Sequence, residues 1–161
     1  MAWMNPDGLY KKYGTEKTVV QKGGEYANKG HFREVEIRLD LTTLTQAETI
    51  QSDTIFIPAG VRISEIKVVT HTAAATGVAI DLGLIRTDRT TELDYDGFLA
   101  VFPIASMNVA GETTTLTGGV ATAGALVGTT LANIGYITCS ATTATAFTAG
   151  VIYVTIKYYT P

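Results

Sequence analysis

The stretch REVEIRLDL, residues 33–41, decides how the rest of the chain is read. Val35, Ile37, Leu39 and Leu41 alternate with Glu34, Glu36, Arg38 and Asp40. A period of two puts the apolar side chains on one face of a strand and the charges on the other, which predicts a β-strand with one buried and one wet face. The same grammar recurs downstream. In DTIFIP, Ile55 and Ile57 share a face, and Pro58-Ala59-Gly60 ends the strand with a turn. In VRISEIKVVTHT, Val61 and Ile63 are in one phase while Ile66 and Val68 are in the other, so a bulge is expected near Ser64-Glu65. GVAIDLGLIR alternates again, with Val78, Ile80, Leu82 and Leu84 pointing one way. YITCSAT and GVIYVTIKYYT supply the last two strands. In the final one, Ile152, Val154, Ile156 and Tyr158 alternate with Val151, Tyr153, Thr155 and Lys157.

One segment offers a helix. FLAVF, residues 98–102, lies between Gly97 and Pro103. It reads as one or two helical turns capped by Asp94 or Asp96, with a short buried strand as the alternative. Residues 106–135 mix Thr, Gly and Ala, with turns expected at Gly111, Gly118-Gly119 and Gly124. Roughly eight strands joined by short turns, without alternating helices, disfavour a parallel doubly wound sheet. They predict an all-β fold, an antiparallel two-sheet sandwich of the jelly-roll or immunoglobulin-like kind. The sequence has no Cys…Trp…Cys pattern, so the jelly roll is expected, with at most one short helix.

Composition agrees. The 161 residues make one domain, or a domain plus an arm. Thr occurs 27 times, and charged residues are 17% against about 25% for an average soluble protein. A net charge of −3 gives no reason to expect nucleic acid as a partner. No run of about 18 apolar residues exists to form a membrane helix. The opening MAWMNPDGLYKKYG has no apolar core of signal-peptide length, so a protein made and used without secretion is expected.

Charge is distributed unevenly. Residues 1–96 hold 25 of the 27 charged side chains, and residues 97–161 hold only Glu112 and Lys157. A stretch so poor in charge either lies inside the domain or faces other protein, and both can hold at once. Residues 1–32 carry five Lys and five Gly, with Trp3, Tyr10, Tyr13 and Tyr26 spaced irregularly. A frayed terminus is the plain reading. Disordered tails are poor in aromatics, however. Residues 1–32 are therefore expected to be an extended arm preceding a body of residues 33–161. Trp3, Tyr10, Lys11, Lys12, Tyr13 and Tyr26 are its expected contacts with a neighbouring protein.

Little in the chain suggests catalysis. The lone Cys139 excludes an intrachain disulfide, and with His31 and His71 it falls short of a structural zinc set. A nucleophile needs an adjacent base, and Cys139 with His71 is the one pairing to test. Neither a Gly-x-Ser-x-Gly elbow nor a phosphate-binding loop occurs. Asp88, Glu92, Asp94 and Asp96, closed by Gly97, resemble the opening of a calcium loop, but its twelfth position is Pro103 rather than a bidentate Glu. An acidic turn explains them, and no metal is expected. Tyr153, Tyr158 and Tyr159 are either a sugar-stacking platform or packing residues.

FIPAGVRISEIKVVTHTAAATGVAIDLGLI, residues 56–85, resembles a module of tailed-bacteriophage virion proteins, in which an Ile-Pro-x-Gly turn opens a strand that leads to an Asp-x-Gly-Leu strand. ELDYDGFLA, residues 92–100, and FTAGVIYVTIKYY, residues 147–159, are similar to its next and closing elements. DGLYKKYGTEK, residues 7–17, and GGEY, residues 23–26, resemble the arm of such proteins. The resemblance implies a capsid decoration (cement) protein with a jelly-roll body, often a homotrimer, and no catalytic residue or cofactor. It would be made in the bacterial host cytoplasm and reside on the virion surface, with the major capsid protein as partner. The alternative is a head- or tail-fibre module that binds a host receptor or glycan.

Overall fold

The structure, a computed structural model, describes residues 2–4, 10–12, 32–51 and 56–161. The chain divides into two units, Met1–Phe32 and Arg33–Pro161. In the first, β1 (Ala2–Met4) and β2 (Tyr10–Lys12) pair antiparallel, with Trp3 opposite Lys11 and Met4 opposite Tyr10. Tyr13, Tyr26 and His31 lie outside the described residues.

The alternation that announced a strand at residue 33 yields β3 (Arg33–Asp40), with Ile37 and Leu39 buried and Glu34, Glu36 and Arg38 exposed. A single 3-10 turn, Leu41–Thr43, follows; the Asp40 carboxylate caps it by accepting from the Thr42 amide. Next come β4 (Thr49–Ile50), β5 (Phe56–Ile57), β6 (Arg62–Thr76), β7 (Ala79–Arg86), β8 (Glu92–Pro103), β9 (Thr113–Leu116), β10 (Gly135–Ala141) and β11 (Phe147–Tyr159). They form two antiparallel sheets. One has the order β3-β11-β6-β9, and the other β4-β10-β7-β8, with β5 also on β10. The fold is the expected β-sandwich.

The core lies where the inner faces of the two sheets meet. Ile37, Leu39, Ile66, Val68, Val154 and Ile156 come from the first sheet. Ile80, Leu82, Leu84, Phe102, Ile137 and Cys139 come from the second. The bulge expected near Ser64 is present: Lys157 faces Glu65 while Tyr158 faces Ile63, so Ser64 has no opposite number. That extra residue lets both Ile63 and Ile66 reach the core.

Two expectations need correction. FLAVF is not helical but part of β8, because its amides and carbonyls pair with β7 and with residues 122–126. Neither Asp94 nor Asp96 caps a helix there. Val78 precedes β7 and is exposed, so it does not join the inward row of Ile80, Leu82 and Leu84.

The Gly-, Ala- and Thr-rich segment between Pro103 and Gly135 owes its order to backbone bonds with both sheets. Ala74 donates to Met107, and Gly111 to Thr70. Gly124 donates to Phe98, Leu126 to Gly97, Gly128 to Ile63, and Leu131 to Val61. Its apolar plugs Met107, Leu116, Val127 and Leu131 are buried. The segment thus spans from β8 of one sheet to β6 of the other and closes one side of the sandwich.

Candidate interaction surfaces

The acidic sequence Glu92 to Gly97 forms neither a helix cap nor a calcium loop. It is a wide bulge in β8. Leu84 faces Asp94 and Leu82 faces Leu99, so the single residue Gly83 is opposed by four. The surplus backbone crosses the outer face of β7 at Gly83, where an added Cβ would lie 1.9 Å from the Asp94 carbonyl oxygen. Residues 124–126 back the same bulge, with a Cβ on Gly124 falling 2.0 Å from the Asp96 carbonyl oxygen.

Carboxyls collect on this outer face. Glu48 accepts from the Ser140 hydroxyl at 2.5 Å, and Asp81 accepts from the Val101 amide at 2.7 Å. Burial raises the pKa of both. For Asp94, burial first and then the neighbouring Asp96 carboxyl raise the pKa from 3.8 to about 6. Among the described residues no group of three or more His, Cys, Asp or Glu is arranged to hold a metal ion. Asp88, by contrast, accepts from the amides of Thr90 and Thr91 and from the Thr91 hydroxyl, which lowers its pKa to about 2. It closes the β7–β8 hairpin and has no share in the Asp94 cluster.

The Asp94 carboxyl makes stability depend on pH. Its folded pKa lies above the unfolded value, so the folded state holds the proton more tightly. That stabilisation is complete below pH 3.8 and is lost as the pH rises through about 6. Asp94 is partly exposed, so solvent screening keeps the effect small. D94N is expected to raise the melting temperature at pH 7.5 by about 2 °C and to flatten its dependence between pH 4 and 7. A melting curve series showing the variant less stable at pH 7.5 would refute the account of a carboxylate disfavoured by burial and by Asp96.

The remaining sequence candidates separate. Cys139 is buried on the inner face of the second sheet, where burial raises its thiol pKa. His71 lies on the first sheet and is exposed, with its ring edge-on to Tyr153 at 5.9 Å between centroids. They make no nucleophile–base pair. Tyr158 points into the core, whereas Tyr153 and Tyr159 lie on the outer face of β11, six residues and roughly 20 Å apart. The three tyrosines therefore do not share one platform. Of the arm residues, Trp3, Tyr10, Lys11 and Lys12 belong to the β1–β2 pair.

Two kinds of surface remain. The outer face of the first sheet is charged: Glu34, Glu36 and Arg38 on β3, Glu65 and Lys67 on β6, and Lys157 on β11, with Lys157 and Glu65 paired at 2.6 Å. The closing segment between Pro103 and Gly135 has one ionisable side chain, Glu112, yet it exposes Val109, Val120, Ala121, Ala125 and Ile134. Sequence alone showed that this half lacked charge. It did not show that so much of the uncharged chain faces outward, because backbone hydrogen bonds together with four buried side chains hold it.

No protein-family model matches the chain, and no curated protein does. Solved structures do share its fold. A chain in the capsid of Ralstonia phage GP4 superposes with a TM-score of 0.56 at 12% identity, over 82% of this chain and 86% of that one. A chain in the capsid asymmetric unit of cyanophage Pam1 gives 0.50 at 15% identity, over 81% and 85%.

Proposed function

We propose that this β-sandwich, of the jelly-roll kind, is a bacteriophage capsid decoration protein. It binds the outer surface of the assembled shell as a homotrimer and bridges neighbouring capsomers of the major capsid protein. The observation that carries this reading is the uncharged closing segment: a wide outward surface almost free of ions is suited to being covered by protein. The fold shared with chains from two phage capsids supports it.

The mechanism is adhesion and needs no catalytic residue or cofactor. An interface of about 1,600 Å² is typical of stable protein contacts. Several copies of a modest contact within one oligomer give high avidity. Binding the shell but not its dissociated subunits stabilises the shell by mass action.

The test is co-sedimentation of the purified protein with shells of its own phage, followed by thermal disruption of the loaded shells. Saturable binding and a higher disruption temperature are expected. Absence of binding to shells, together with capture on a glycan array, would favour the fibre-type module instead.

A further inference from the structure

Most strand edges of the sandwich are guarded. The outer side of β8 is covered by the closing segment, with Ala100 donating to Thr122, Gly124 to Phe98 and Leu126 to Gly97. β4 and β5 have two residues each, and β9 has four. β3 is different. It has eight residues, contains no proline, and keeps unbroken register with β11 from Arg33 opposite Tyr158 to Asp40 opposite Val151. It stands at the end of the order β3-β11-β6-β9. Among the described residues no other main chain bonds to the backbone of its far side. A long, regular edge without a bulge is a template for another strand.

The side chains of β3 bear on what that strand is. Its inward row is apolar, with Ile37 and Leu39 buried and Val35 half-buried at the rim of the core. Its outward row is Glu34, Glu36 and Arg38, all exposed. Among the described residues neither Glu34 nor Arg38 forms a salt bridge within the chain. Lys157, opposite Glu34 on β11, is taken up by Glu65 at 2.6 Å.

We propose that β3 pairs antiparallel with β3 of a second copy of this chain, about a two-fold axis at Glu36. The occupant follows from the order of the charges. Residues directly opposed in an antiparallel pair share a face, and opposite charges there stabilise the pair. With the axis at Glu36, Glu34 of each copy faces Arg38 of the other. That gives two opposite-charge pairs against one like pair, Glu36 with its own copy. An axis at Val35 would set Glu34 against Glu36 twice, and one at Ile37 would set Glu34 against Asp40 twice. The favoured register also lays Val35 beside Ile37 of the second copy and continues the apolar row. Such a contact is isologous and closes after two partners. It goes beyond the homotrimer reading, because it joins one oligomer to the next.

The experiment compares wild type, E34R, R38E and the double variant E34R/R38E by analytical sedimentation from low to high micromolar concentration, with melting of each. A pairing step that doubles the mass is expected for wild type. Each single variant turns both opposite-charge pairs into like pairs and should pair at least about tenfold more weakly. The double variant exchanges the charges and should recover. E34R lowers the net negative charge and R38E raises it, so a weakening shared by both does not come from net charge. The register has its own readout. Directly opposed residues are about 4.5–5.5 Å apart, within the span of a disulfide, so E36C should cross-link two copies in oxidised glutathione. E34C lies four residues out of register with itself and should not, and Cys139 is buried. A wild type found only as isolated trimers would overturn this proposal and leave the homotrimer standing. Pairs of single chains would support the β3 contact and sink the homotrimer. A double variant as weak as the single ones, or E34C cross-linking as readily as E36C, would overturn the proposed pairing.

Discussion

G83A is expected to destabilise the sandwich by about 3 kcal/mol or more. Gly83 lies mid-strand in β7, flanked by the core residues Leu82 and Leu84. Its missing side chain is the space through which the Asp94–Tyr95 backbone passes. A single methyl there would lie 1.9 Å from the Asp94 carbonyl oxygen and 2.4 Å from the Tyr95 carbonyl carbon. The obstacle is main chain, so no rotamer change relieves it. Nor can the bulge lift freely, because Leu126 donates to the Gly97 carbonyl and Gly124 abuts Asp96 and Gly97 from another direction. Overpacking of a core typically costs about 1–3 kcal/mol, and a clash with tethered backbone belongs at or above the top of that range. The melting temperature should fall by about 10 °C, or the protein should fail to accumulate in soluble form. A melting temperature within about 2 °C of wild type would mean that the bulge is looser than its hydrogen bonds imply.

Deletion of residues 1–30 is expected to abolish most shell binding while leaving the body folded. The core cluster, among the described residues, is drawn from β3 onward, so the body should melt cooperatively without the arm. The arm has five Lys and the aromatics Trp3, Tyr10, Tyr13 and Tyr26. An aromatic anchor seated in a partner pocket commonly contributes about 2 kcal/mol or more. Fixing any backbone on binding would oppose this at about 1–2 kcal/mol per residue, so the anchors have to outweigh that cost. Lys11 and Lys12, beside Tyr10, would steer the arm towards an acidic shell surface and make association salt-sensitive. Full-length protein should therefore bind shells less well as ionic strength rises, and the truncated form should show low occupancy at every salt concentration. Equal occupancy of the two forms would assign the contact to the sandwich alone and remove the arm from the account.

Local period and composition were enough to read part of this fold. Alternation in residues 33–41 and in the final strand fixed two strands of one sheet and the side each gives to the core, because side-chain direction in a strand repeats every two residues. The phase slip between Ile63 and Ile66 located a bulge for the same reason. Charge depletion after Asp96 was visible as composition.

Elsewhere long-range backbone contacts prevail over local pattern. FLAVF carries no signal that separates a short helix from a buried strand; pairing with β7 and with residues 122–126 settles it. The acidic run resembled only the opening of a cation loop and read as an acidic turn, because its oxygens alternate but Pro103 stands where the closing Glu belongs. It is a bulge because Gly83 and Gly124, distant in sequence, leave room for its backbone. Val101 read as one more apolar residue of FLAVF, but its φ is +48° at a bulge where Asp81, on the neighbouring strand, faces two residues so that Leu99 and Phe102 both reach the core. Whether the uncharged half lay inside or outside was also beyond local reading. Burial of a Gly-, Ala- and Thr-rich segment is set by which carbonyls of β6 and β8 its amides reach, and that is a property of the assembled sandwich.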